Sequence, residues 1–155
     1  MSESFSSENL SIKEMIRIGV EEFIPFNKVL GLKLDSIDPM KVSFDMRPDL
    51  VGNPALAVLH GGVISAVIDA TGGIAIIQHL LTRDDGLSFE DKRKQFLRVG
   101  TIDLRIDYLK PGRGTKFYTT AQLLKAGRNI MVVRMELHNE DDLLIAAGTG
   151  SYIVR

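Results

Sequence analysis

Asp69 is the only carboxylate between Val63 and Leu81, and it follows His60-Gly61-Gly62 by nine positions counted from the histidine. The surrounding run is apolar on every side, the mark of a buried helix. An ionised carboxylate there costs several kcal/mol unless it is paired or has a task. The task open to it is nucleophilic or general-base attack. Two glycines at the helix start leave backbone N–H groups unshielded at the positive end of the helix, where a developing oxyanion could sit. Each feature also has a plain structural reading. Asp69 could be an acid satisfied by Thr71, Ser65 or neighbouring backbone, and Gly61-Gly62 a tight turn.

The elements that must position these residues can be read around them. Ser11-Ile12-Lys13-Glu14 has the capping-box pattern, and Ile12, Met15, Ile16, Val20 and Phe23 follow at helical spacing, predicting one lead-in helix that stops at Pro25. Residues 31–38 and 40–47 read as a hairpin about Asp38-Pro39, because Val42, Phe44 and Met46 alternate with Lys41, Ser43 and Asp45. Residues 48–60, with Pro48, Gly52 and Pro54, read as a loop into a central helix over 61–81. Arg83-Asp84-Asp85-Gly86 ends that helix, and Ser88 caps a short one reaching about Arg98.

From Val99 the period becomes two, with Ile102, Leu104, Ile106 and Tyr108 on one face and Thr101, Asp103, Arg105 and Asp107 on the other. Strands over 117–125, 130–138 and from about 143 follow, joined by Ala126-Gly127-Arg128-Asn129 and the Asn139–Asp142 turn. This is an α+β chain: a curved antiparallel sheet with one long helix against its concave face. Adjacent Gly72 and Gly73 each cost about 1 kcal/mol in a helix relative to alanine, which predicts close approach of another backbone or ligand, such as a partner subunit.

At 155 residues one domain is expected. Near-balanced charge, 19 basic against 20 acidic residues, argues against nucleic acid and membrane-surface partners. No cysteine is present, which removes disulfides, cysteine nucleophiles and thiolate metal sites. His79 and His138 stand apart from any ligand spacing, so no metal is expected. Met1-Ser2-Glu3-Ser4-Phe5-Ser6 lacks the pattern of a signal peptide, and the apolar run suits a protein interior better than lipid, so a cytoplasmic protein is expected.

The order of a strand pair, a loop, a His-Gly-Gly helix with an aspartate nine residues on, and four antiparallel strands resembles the hot-dog fold thioesterases of the PaaI type. The likeness covers roughly residues 30–154 and rests on Asn53, His60-Gly61-Gly62, Asp69 and the segment Gly100–Tyr108; the bacterial subgroup acting on medium- and long-chain acyl-CoA is the most similar. It implies a hot-dog domain over 30–155 behind a helical lead-in over 1–29. It implies thioester hydrolysis without metal or cofactor, CoA entering as part of the substrate, in a homodimer or homotetramer. It gives Asp69 the nucleophile or general-base role and the Gly61 N–H the oxyanion. Asn53 would align the attacking group or carbonyl, His60 brace the loop, and Thr101 position water. One departure stands out: Asn53 precedes His60 by seven positions with no glycine between, where the family has six and a glycine.

Gly61 and Asp69 lie eight residues apart, about 12 Å along a helix, while reacting groups must converge to about 3 Å. One chain cannot easily supply both, so two antiparallel helices across a dimer axis are expected to form shared sites. Gly62 and Val63 are candidate substrate contacts, with Val67 and Ile74 further along the acyl chain. Lys125 and Arg128, flanking a hairpin turn, are candidates for the CoA phosphates, with Arg98, Arg105 and Arg113 behind them. Two rivals remain open: a hydratase or dehydratase of acyl thioesters using His60 and Asp69, and a non-catalytic acyl-CoA sensor.

Overall fold

The computed structural model describes residues 11–154, so the reading of Met1–Ser6 lies outside the described residues. Ser11 caps α1, Ile12–Ile18, its hydroxyl accepting the Glu14 N–H at 3.2 Å. A π-helical turn, Gly19–Phe23, follows. The lead-in helical run ends before Pro25 as expected, with Ile24 extended, but Pro25 has a second role. It opens a second helix, α2, Pro25–Leu30, where its missing N–H has no intrahelical role, and Gly31 at φ 71° closes it.

Strands β1, Lys33–Ile37, and β2, Met40–Asp45, form the expected hairpin. The stretch read as a loop holds more structure than that: a 3-10 turn, Pro48–Leu50, then a small ladder of β3, Val51–Asn53, and β4, Val58–Leu59. It delivers the chain to α3, Gly61–Thr82, the long helix. The short α4, Phe89–Phe96, starts at Ser88 as expected and buries no residue.

Four long strands complete the fold: β5, Val99–Tyr108; β6, Lys116–Ala126; β7, Ile130–Asn139; and β8, Leu144–Val154. Six strands make one antiparallel sheet in the order β1-β2-β6-β7-β8-β5. Thus β5 crosses over to pair with β8 and forms an edge of the sheet. Alternate residues of β7, Met131, Val133, Met135 and Leu137, are buried with Phe44, Phe117, Ile68 and Ile76, each such side chain contributing about 1.5–3 kcal/mol.

Two features fix how α3 lies on the sheet. Strand β8 presents Ala146, Gly148 and Gly150 to it, and a Cβ on Gly148 would stand only 2.8 Å from Ile68 Cγ2, so the glycine permits close approach. On the other flank, fully buried Thr71 and Thr119 share a 2.6 Å hydrogen bond; the Thr71 hydroxyl also lies 2.8 Å from the Val67 carbonyl, to which it can donate. A buried hydroxyl pair satisfied in this way sets the rotation of the helix as well as its position.

Candidate active site

Asp69 sits half-buried in the middle of α3. Its partners are neither Thr71 nor Ser65, whose hydroxyls bond within the helix and, for Thr71, to Thr119. Thr101 on β5 donates to Asp69 Oδ1 at 2.8 Å, and the Tyr152 hydroxyl on β8 lies 3.2 Å from the same oxygen and 3.2 Å from the Asp69 carbonyl. Oδ2 accepts no hydrogen bond among the described residues.

Thr101 reaches the carboxylate because of a β-bulge. Thr101 pairs with Tyr152, but Asp103 pairs with Ser151, so Ile102 is an extra residue on β5. The bulge reverses the alternation expected from the sequence: Thr101 faces inward with Leu104 and Ile106, and Ile102 is 54% exposed.

The sequence reading missed Tyr152. Its side chain is 1% exposed, and burial, followed by the charge of Asp69, pushes its hydroxyl well above the usual phenol range, so it stays a proton donor. Two glycines make room for it. A Cβ on Gly72 would lie 2.8 Å from Tyr152 Cζ, and one on Gly150 2.8 Å from Cε2. The signal was the alternation Gly148, Gly150, Tyr152 on one face of the last strand: small, small, then large. Gly72 is therefore explained by a side chain of its own protomer, which corrects the expectation of a partner at both glycines. A Cβ on Gly73 would meet nothing within 4 Å among the described residues.

At the helix start, His60 is the N-cap: Nδ1 accepts the Gly62 N–H at 2.8 Å, while its own backbone N–H donates to the Leu50 carbonyl. Gly62 is thus taken, whereas the Gly61 N–H has no acceptor among the described residues. The Tyr108 hydroxyl lies 3.2 Å from the Gly61 carbonyl. Gly52 lets the small ladder press on His60, a Cβ there falling 2.6 Å from His60 Cα.

Asn53 turns back on its own loop, its side-chain oxygen accepting the Ala55 N–H at 3.1 Å, and no hydrogen bond ties it to Asp69 or Gly61. Within this interval Ala57 is held at φ 49°, a left-handed conformation glycine adopts more readily. Val63 packs against the core. Lys125 and Arg128 are exposed at the β6–β7 hairpin, which reaches the sheet end that carries Thr101 and Tyr152, since Ala126, Met131, Tyr152 and Thr101 share one register line. A cavity of about 540 Å³ opens beside the C-terminal half of α3, lined by Met40, Ala75, His79, Leu123 and Arg134 among others; none of the site residues lines it.

Thr101, Tyr152 and Asp69 therefore meet, while His60, Gly61 and Gly62 form a second cluster about 12 Å along the same helix. The thioesterase superfamily model matches residues 56–146, which include His60, Gly61, Asp69 and Thr101. The medium/long-chain acyl-CoA thioesterases YigI of Salmonella typhimurium and Escherichia coli K12 are 42% and 41% identical over 150 residues, covering 94% of this chain and 97% of each relative. A thioesterase-superfamily protein from Shewanella oneidensis superimposes with a TM-score of 0.84 at 38% identity, covering 95% of this chain and all of that one. A Bacillus halodurans protein solved with CoA gives 0.65 at 27% identity, over 84% of this chain and 75% of that one.

Proposed function

The chain belongs to the thioesterase superfamily, with a hot-dog fold, and from that premise we propose that it hydrolyses medium- to long-chain acyl-CoA thioesters to free fatty acid and CoA. The observation that carries the reading is a lone helix carboxylate, gripped on one oxygen and without a donor on the other among the described residues, in a chain 41–42% identical to named acyl-CoA thioesterases. The relatives' names favour hydrolysis over hydration or sensing.

Asp69 attacks the thioester carbonyl or takes a proton from the attacking water. The Gly61 N–H stabilises the oxyanion, a donor of the kind worth two to three orders of magnitude in rate. Because the two lie about 12 Å apart on one straight helix, the donor comes from a partner protomer, and the working unit is a homodimer or a tetramer built from it. Three features support this. Strand β5 is a ten-residue edge free to pair with a copy of itself. A Cβ at Gly73 would meet nothing among the described residues. The Gly61 N–H lacks an acceptor among the described residues of its own chain. Exposed Lys125 and Arg128 are suited to the phosphates of CoA.

Free-thiol release from acyl-CoA esters, acetyl through palmitoyl plus one aromatic ester, tests the reading, and the cysteine-free chain adds no thiol background. Turnover should peak at medium or long chains and fall at least about a hundredfold in Asp69→Ala. No turnover across the panel would overturn hydrolysis, and an active monomer in sedimentation would overturn the shared site.

A further inference from the structure

We propose that Tyr152 is a positioning residue: together with Thr101 it fixes Asp69 Oδ1 and so assigns the reaction to Oδ2. The inference deepens the function proposed above and rests on Asp69 being its reactive carboxylate. The geometry is one-sided. Two hydroxyls, from neighbouring strands at one register line, converge on a single carboxylate oxygen at 2.8 and 3.2 Å. Two donors on one oxygen restrain the carboxylate from rotating about Cβ–Cγ, and Oδ2, which has no donor among the described residues, keeps its lone pairs available.

The packing shows that the hydroxyl, and not only the ring, is accommodated. A phenylalanine would fill the same space without burying a polar atom, yet the atom closest to a Cβ on Gly72 is the Tyr152 oxygen itself. Gly72 thus clears room for an oxygen in the interior of a helix, where glycine is disfavoured. The hydroxyl also lies 3.2 Å from the Asp69 backbone carbonyl, so its one proton is placed between the main-chain and side-chain oxygens of that residue. A donor fixed in this way before substrate arrives need not reorganise during the reaction.

The test is Tyr152→Phe in the intact protein, with medium-chain acyl-CoA as substrate. Loss of a hydrogen bond to a charged group predicts a fall in kcat of roughly ten- to a hundredfold, with KM changed by less than about twofold, the pattern of an interaction expressed at the chemical step. The melting midpoint should stay within a few degrees of wild type. Thr101→Val should lower kcat more than Thr101→Ser, which keeps a hydroxyl, and Tyr152→Phe with Thr101→Val should approach the level of Asp69→Asn. A wild-type kcat in Tyr152→Phe overturns the proposal. So does a loss confined to KM, or one that disappears when the assay is run well below the variant's melting midpoint, which would make Tyr152 a packing residue. Asp69→Asn separates the two layers. If it keeps wild-type turnover, the assignment of Asp69 fails; if it is inactive while Tyr152→Phe is unaffected, only the positioning role fails.

Discussion

Two short stretches of α3 carry the candidate chemistry, and they are held in opposite ways. Around Asp69 the helix is gripped from the sheet by Thr101 and Tyr152, with Gly72 cut back to admit the tyrosine. Around Gly61 the helix is exposed, and it is held at its backbone alone: by a histidine cap, by the Tyr108 hydroxyl of β5 near a carbonyl, and by a two-stranded ladder behind. The carboxylate is finished within the protomer. The Gly61 N–H is left without an acceptor among the described residues. A reactive group must be aimed before substrate arrives, whereas an oxyanion donor must stay unsatisfied until it does.

The adjacent glycines of the helix repeat the contrast, and substitutions at three positions probe it. The largest effect on stability is expected at Gly72→Ala, where the new Cβ meets the buried Tyr152 side chain. Overpacking should destabilise the fold by about 1–3 kcal/mol and displace the tyrosine from Asp69, so melting and kcat fall together. Retained melting and turnover would show the grip to be loose. At the helix start, His60→Ala removes the cap and should cost about 1 kcal/mol, seen as a melting shift of a few degrees. His60→Asn, another good cap residue, should restore it; failure to do so would mean His60 does more than cap. The smallest effect belongs to Gly73→Ala. With nothing among the described residues within reach, it should gain up to about 1 kcal/mol of helix propensity. A loss in sedimentation-measured association instead would show a partner helix seated at that position.

Much of this arrangement is legible because periodicity reports burial. The long helix, the capped α4 and the strands β6 to β8 stand within a residue or two of where alternation and turn chemistry put them. What is lost follows from local rules with two outcomes. Pro25 can stop one helix but is equally suited to start another, and here it starts α2. Alternation assumes an unbroken ladder, so the bulge at Ile102 inverts the expected face of Thr101, even though the residue itself stands out as a hydroxyl at the strand start. Asp69 is legible as a carboxylate in apolar company, but its partners are not. Thr101 and Tyr152 reach it only through the pairing of β5 with β8, a long-range choice that local patterns do not encode. Asn53, placed by resemblance, has its side chain in its own turn.

The room made for Tyr152 also constrains how relatives of this chain can diverge. Gly72 and Gly150 lie far apart in sequence, yet each admits the same ring, one beside the hydroxyl and the other beside the ring edge. A lineage cannot enlarge either position while keeping the tyrosine, and one that gives up the tyrosine releases both at once. Positions 72, 150 and 152 should therefore be inherited as a unit, with intermediates rare: glycine, glycine and tyrosine together, or larger residues at the first two beside a smaller one at the third. An alignment of the family would read that history directly.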